Sequence, residues 1–431
     1  MFVNAAQIVT CAGPARARKG KEMRDAGILK NTAVAVSNGR IAMIGSASDL
    51  QHAYSDADVV DCRGGVLTPG LVDSHTHAVF GKPRFEEHEL RAEGLDYMEI
   101  AKRGGGIHAS VRDFRERGED ELYNLAVPRV KSLASYGTTT LEIKSGYGLS
   151  VEDELKALRV IGRLAERQPL RIVPTWLGAH EIPPEYRTSE ARREEFIDLL
   201  INTLLPKVVE QGIARFADVF CEPGVFTIDE TRRILEASRK TGLGIKIHAD
   251  ELKPCGGAEL AASLKAVSAD HLAAISERGI EALAKSDTVA TLLPGTMLFL
   301  GKAKQAPARA LIDAGAAVAL ASDFNPGTSP TVNFPLMLTL GVSQLRMSLA
   351  EVLIAATANG AAAVGIAGEV GQIAPGFAAD LALFAIADVR ELPYWYGARL
   401  CVGSWKAGAP CHPYDSGSNL NARLPEAVPT G

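Results

Sequence analysis

Eight short apolar runs recur through the middle of the chain, at 66–77, 138–144, 171–180, 216–222, 244–248, 266–271, 288–293 and 318–323. Most are separated by stretches with apolar residues every three or four positions, at 151–167, 190–211, 229–241, 257–265 and 276–285. Strands that are apolar along their whole length must be covered on both faces, and strands alternating with helices give a parallel sheet. Eight such units predict an α/β fold built on a (β/α)8 TIM-like barrel.

The ends of the chain do not follow that rhythm. Two β-rich runs, 32–36 and 41–44, flank Ser37-Asn-Gly-Arg40, the signature of a hairpin. After Gly371 the chain returns to short strands near 382–386, 398–402 and 404–406. The expectation is a small β-sandwich domain made from residues 1–66 and 369–431, with the barrel spanning 67–368. The basic cluster Arg16, Arg18, Lys19, Lys21 and Arg24 reads as a solvated loop. The most apolar helix-like stretch, 352–368, is interrupted by Thr357 and Asn359 and reads as a packed helix, not a membrane span.

Bulk properties narrow the function. A chain of 431 residues with 47% hydrophobic and 23% charged residues has the balance of a soluble globular protein. A net charge of -5 leaves no basic footprint for nucleic acid. The six cysteines form no C-x-x-C pair, which predicts a reducing, cytoplasmic location. The N-terminus lacks the basic region of a signal peptide.

In barrels of this kind the active site lies at the C-terminal ends of the strands. Seven of the eight runs end in a chemically capable group. The first ends in His75-Thr-His77, whose imidazoles share a face because strand side chains alternate; they stand about 7 Å apart along the backbone. Asp73 is expected on the same face. The second run ends in Lys144-Ser-Gly-Tyr-Gly148, the third in His180, the fourth in Glu222, and the fifth in His248 followed by Asp250 and Glu251. The sixth ends in Asp270-His271 and the eighth in Asp323; the seventh ends in Leu293-Pro-Gly295, with nothing ionisable. Any one of these histidines read alone is a hydrogen-bonded core residue. Their joint placement points to a metal.

Three histidines and a carboxylate suit zinc or iron and leave a position for water. His75, His77, His248 and Asp323 are the expected ligands. Glu251, three residues past His248, is placed to move a proton between water and a leaving nitrogen. His180 and His271 are placed to polarise a carbonyl or hold an anionic intermediate. Glu222 reads as a hydrogen-bond partner behind the ligands. Lys144 could carry a carbamate bridging two metals, although bridging lysines in such barrels usually end strand four. Asn325, the Gly327 backbone and Thr328 follow Asp323 closely enough to touch substrate, or else form a plain Pro-Gly turn. Gly104-Gly-Gly106 lacks the Gly-Lys-Ser/Thr of a phosphate loop and reads as a loop leading into a helix.

The chain resembles the amidohydrolase superfamily through Pro69-Gly-Leu-Val-Asp-Ser-His-Thr-His77, His248, Asp323 and Gly376-Phe-Ala-Ala-Asp-Leu381. Within it the chain is similar to the imidazolonepropionase family. That likeness rests on Arg84-Phe-Glu-Glu-His-Glu-Leu-Arg91, Glu142-Ile-Lys-Ser-Gly-Tyr-Gly-Leu149, Leu177-Gly-Ala-His180, Asp218-Val-Phe-Cys-Glu222, His248-Ala-Asp-Glu251, Ser268-Ala-Asp-His-Leu272 and Asn325-Pro-Gly327. The resemblance implies hydrolysis of a ring C–N bond of 4-imidazolone-5-propanoate to N-formimidoyl-L-glutamate, in histidine degradation. It implies one zinc or iron ion per subunit on His75, His77, His248 and Asp323, and a homodimer. It implies substrate contacts from Arg84, Tyr147, His180, Glu251, His271, Asn325, Gly327 and Thr328, with Tyr97 a further candidate. Thr296-Met297 departs from the family pattern, where Ala and an aromatic are commoner, as does Pro83, where Asp is commoner.

Two other readings stay open on the residues alone. A deaminase of the same superfamily would share His248, Glu251, His271 and Asp323; Arg84 and the Lys-Ser-Gly-Tyr-Gly segment speak against it, because a nucleobase carries no carboxylate for them to hold. A non-catalytic scaffold on the same barrel is permitted by fold alone, but the full set of ligand candidates argues against it.

Overall fold

The computed structural model describes residues 1–95, 99–100 and 103–414. Eight parallel strands make one sheet in sequential order: Leu71–Asp73, Thr138–Lys144, Arg171–Ala179, Phe216–Cys221, Gly244–Ala249, Ser268–His271, Val289–Leu292 and Val318–Leu320. They are numbered here as barrel strands one to eight. The sheet closes just past its ends. Asp323 N–H donates to His75 O at 3.0 Å, His77 N–H donates to Phe324 O at 2.8 Å, and Thr76 bridges Phe324 in parallel. The seam of the barrel is thus made by the residues expected to carry the chemistry.

Helices cover the outside as their periodicity predicts. Val151–Arg167 starts at Ser150, whose hydroxyl accepts from Asp153 N–H, and buries Leu155, Leu158, Ile161 and Leu164. The expected helix over 190–211 is one continuous helical rod, but its middle, Leu199–Leu204, widens to a π-helical turn. The expected helix over 352–368 is instead two, Leu349–Ala355 and Ala358–Ala363, parted at Thr357, whose φ of -131° and ψ of -90° leave the helical region. No described helix is long and apolar enough to cross a membrane.

The chain ends form two sheets. One has four strands, in the order Arg40–Gly45, Ala33–Ser37, Phe2–Val3 and Val60–Asp61. The other has six: Ala409–His412, Cys401–Lys406, Leu381–Phe384, Val66–Pro69, Gln7–Val9 and Ile28–Leu29. Phe2, Val34 and Ile41 of the first pack with Ile8, Leu67, Leu381, Leu383 and Trp405 of the second in one core, the arrangement of a sandwich. The hairpin turns at Asn38 and Gly39, with φ of 50° and 74°, the pair of positive values a tight hairpin needs.

The structure departs from two expectations. The run 66–77 is not one strand. Val66–Pro69 pairs with Leu381–Phe384 in the sandwich, and only Leu71–Asp73 enters the barrel. The break falls at Gly70, where an added Cβ would lie 2.0 Å from Thr139 Oγ1, so only glycine lets the chain cross there. The basic cluster is not wholly solvated either. Arg18 is buried and donates to Cys11 O, while Asn359 holds its backbone from both sides.

Candidate metal centre and substrate pocket

Five histidine rings meet at the C-terminal mouth of the barrel. His75 and His77 lie beyond the end of strand one, yet their alternation persists, with ring centroids 5.3 Å apart. His248 sits 4.5 Å and His271 5.4 Å from His75, centroid to centroid, and His180 stacks on His77 at 5.0 Å. All five are buried. Asp323 Oδ1 is 3.6 Å from Nε2 of both His75 and His77.

Two sets of donor atoms converge closely enough for one ion. His75, His77 and Asp323 form one; His75, His248 and His271 form the other, each set lying within 4.8 Å. His75 belongs to both sets: His77 and Asp323 converge with it on one side, and His248 converges with it together with His271. His75 Nε2, His77 Nδ1 and His248 Nε2 are buried with no hydrogen-bond partner. Orphaned nitrogens of this kind are costly unless something binds them. Burial holds His75, His77 and His248 well below the ordinary imidazole pKa; the charge of Lys144 acts next on His75 and His248, and His180 next on His77. Neutral imidazoles are what a metal requires. The residues present fit an ion.

Behind the histidines lies a layer of buried charge. His75 Nδ1 is 2.7 Å from Asp270 Oδ2, and His248 Nδ1 is 3.0 Å from Asp218 Oδ2, though not aligned for a hydrogen bond. Such carboxylates orient a ligand histidine and select its tautomer. They are balanced by two fully buried lysines. Lys144 Nζ donates to Asp218 at 2.7 Å and lies 3.0 Å from Glu142 and 3.5 Å from Asp270. Lys246 Nζ donates to Glu142 at 2.6 Å and to Ser74 O at 3.1 Å. Burial alone would pull Lys144 down, but Asp218, Glu142 and Asp270 outweigh it and hold the ammonium well above its ordinary pKa. A position among three carboxylates is no site for a fourth negative charge, so the carbamate considered for Lys144 does not suit its surroundings.

Glu222 fixes the loop after strand five. Its carboxylate accepts from the N–H groups of Glu251 at 3.1 Å, Leu252 at 3.3 Å and Lys253 at 2.9 Å. Asp250 accepts from Cys255, Gly256 and Ala258 N–H and anchors the helix Gly257–Ser263. Glu251 itself faces the cavity, 3.6 Å from His271 Nδ1, with its side chain 11% exposed. Burial raises its pKa well above the ordinary carboxyl value, and the neighbouring Asp323 and Glu222 add to this. Burial likewise brings Asp323 up to about 7 and His180 and His271 down to about 4. Asp73 does not join the cluster: it accepts from Ser322 N–H at 2.9 Å and Ser322 Oγ at 2.5 Å.

The backbone at this end of the barrel is strained. Leu149, Asp250, His271, Leu272 and Asp323 all have φ between 48° and 79°. Non-glycine residues avoid that region unless the surroundings force it, as active sites do.

The cluster opens into a cavity of about 750 Å³ lined by His77, Arg84, Tyr147, His180, Glu251, His271, Asp323, Asn325 and Thr328 among others. Arg84 precedes the helix Phe85–Ala92; it donates to Ser110 Oγ at 3.1 Å and lies 3.4 Å from Glu87. Arg91 lines the cavity too, donating to Gly327 O at 2.8 Å, with Glu87 at 3.8 Å. Gly327 is not on the cavity wall. Its N–H goes to Asn325 Oδ1, and an added Cβ would collide with the Arg84 guanidinium, so its smallness makes room for that arginine. Asn325 spends both amide hydrogens inside its own turn, on Asp323 O and Thr328 Oγ1. Tyr97 lies outside the described residues. Asp218, Lys246 and Ser110 belong to the site without standing at a strand end or in a ligand pattern. The available signal was a charge set inside an apolar strand, as at Lys246 between Ile245 and Ile247.

Comparison with known proteins agrees with the geometry. Residues 66–410 match the Amidohydrolase family. The chain is 45% identical over 399 residues to an imidazolonepropionase of Bacillus velezensis, covering 92% of this chain and 93% of that one. It is 46% identical over 403 residues to an imidazolonepropionase of Geobacillus kaustophilus, covering 92% and 94%. Among solved structures it superposes on an adenosine deaminase from Xanthomonas campestris with bound zinc (TM-score 0.70, 18% identity, 94% and 91% covered). It also superposes on the guanine deaminase of E. coli (TM-score 0.72, 15% identity, 95% and 99% covered). These two share the fold. With its sequence likeness extending over nearly the whole length, the chain belongs to the amidohydrolase family and, within it, to the imidazolonepropionase family.

Proposed function

We propose that this chain is a hydrolase that opens the ring of 4-imidazolone-5-propanoate at a C–N bond to give N-formimidoyl-L-glutamate, a step of histidine degradation. The observation that carries this is the 45–46% identity, over 92% of the chain, to relatives named imidazolonepropionase. The buried His/Asp cluster and the arginine-bearing cavity beside it supply the chemistry such a reaction needs.

His75, His77, His248 and Asp323 would hold one ion per chain, zinc or iron. When bound, the ion supplies Lewis acidity, which makes water nucleophilic near neutral pH. His271, whose Nδ1 lies 3.6 Å from Glu251, is assigned to the substrate. Glu251 takes the proton from the attacking water and gives it to the leaving ring nitrogen; its raised pKa suits a group that must do both. Neutral His271 donates to the oxygen of the ring carbonyl as charge builds there; His180 gives its one N–H to Gly146 O and so meets the substrate with an acceptor nitrogen. Arg84 pairs with the propionate, Tyr147 and Thr328 close around the ring, and Asn325 and Gly327 shape the turn that carries Thr328 and admits Arg84. A homodimer in the cytoplasm completes the reading.

The test is the identity of the product. Incubation with 4-imidazolone-5-propanoate yields formiminoglutamate and no ammonia. Ammonia release from a purine or pyrimidine, with the imidazolone untouched, makes the protein a deaminase instead.

A further inference from the structure

Asp323 has two carboxylate oxygens, and they lie in different surroundings. Oδ1 faces the histidines, 3.6 Å from Nε2 of His75 and of His77. Oδ2 accepts a hydrogen bond of 2.5 Å from Thr296 Oγ1. Thr296 is fully buried and sits in the helix Pro294–Phe299 that follows strand seven. The rest of Asp323 is fixed as well. Its φ is 54°, its N–H donates to His75 O at 3.0 Å, and its carbonyl accepts from Asn325 Nδ2 at 2.7 Å.

We infer that Thr296 is a positioning residue for the metal centre: it takes Oδ2 of Asp323 and so leaves Oδ1 as the single oxygen offered to the ion. A carboxylate free to turn can present both oxygens, raising the coordination number and blurring the geometry. A hydroxyl proton committed to one oxygen prevents that turn, in the way that outer hydrogen bonds commonly orient metal ligands. The inference rests on the reading of Asp323 as a ligand.

The substitutions that test it are Thr296→Val, which keeps the shape and removes the donor, and Thr296→Ser, which keeps the donor and removes a methyl. Zinc affinity is measured by equilibrating the zinc-loaded protein with a chelator of known affinity, and coordination by the visible absorption of the cobalt-loaded protein. Thr296→Val weakens zinc binding by about 10- to 100-fold, the usual cost of losing an outer hydrogen bond to a ligand. Its cobalt band weakens as the second oxygen joins, and Thr296→Ser restores both toward wild type. Wild-type affinity and an unchanged band in Thr296→Val overturn the inference, and so does a failure of Thr296→Ser to rescue, which makes the effect one of packing. A wild-type protein that takes up no zinc overturns the ligand reading itself, a result distinct from either.

Discussion

On the proposed reading, Glu251 and Arg84 divide the work of the cavity between proton transfer and recognition. Glu251→Gln keeps the side chain's shape and its loop, because Glu222 holds the backbone and not the carboxyl. Turnover should fall by roughly 100-fold or more, with metal content unchanged by elemental analysis. Loss of metal in that variant would make Glu251 a ligand. Arg84 carries a planar fork suited to a carboxylate and is already steadied by Ser110 and Glu87. A charge-assisted bond contributes about 1.5–3 kcal/mol. Arg84→Lys should therefore lower kcat/KM by roughly 10- to 100-fold, and Arg84→Met by more, with the metal retained. A 4-imidazolone lacking the propionate should be a poor substrate that barely registers either change. If the variants discriminate the two compounds as wild type does, Arg91, which lines the same cavity, is the next residue to alter.

The turn after strand two shows how backbone conformation places these side chains. Gly146 has a φ of 110°, and an added Cβ there would lie 2.8 Å from His180 Nδ1 and 2.9 Å from Leu177 O. Glu154, in the next helix, ties the turn together by accepting from Gly146, Gly148 and Leu149 N–H. Gly146→Ala should cost about 1–3 kcal/mol of stability from backbone strain and lower kcat/KM, since His180 must shift; thermal unfolding and steady-state kinetics check both. An alanine variant with native kinetics would show that His180 is dispensable. Elements such as this one explain what was legible in the sequence. Strand periodicity carried His75 and His77 to one side even though both lie past the hydrogen-bonded strand, because the extended backbone continues to the bridge at Thr76. The break at Gly70 was hidden, because the apolar run is buried in both the sandwich and the barrel and nothing in its hydrophobicity changes there. The pairing of Lys144 with Asp218, 74 residues away, and of Lys246 with Glu142, 104 residues away, was hidden for another reason: local pattern shows a buried charge but not its partner.

For the molecule as a whole, the proposed metal site and the closure of the barrel are one structure. His75 and Asp323 hydrogen-bond across the seam between strands one and eight, so an ion held by their side chains would clip the first strand to the last. An ion that binds only the folded protein stabilises it by mass action, and chelation should lower the unfolding temperature as well as stop turnover. The sandwich remains a separate support, with its own core around Leu67 and Trp405. The most direct measurement is a reloading titration. The purified protein is stripped of metal, zinc is added in steps, and formation of formiminoglutamate from 4-imidazolone-5-propanoate is followed at each step. Activity should be absent at the start, rise linearly, and level off at one zinc per chain. Full activity in the stripped protein, or a plateau only at two zinc ions per chain, would contradict a single-ion centre on His75, His77, His248 and Asp323.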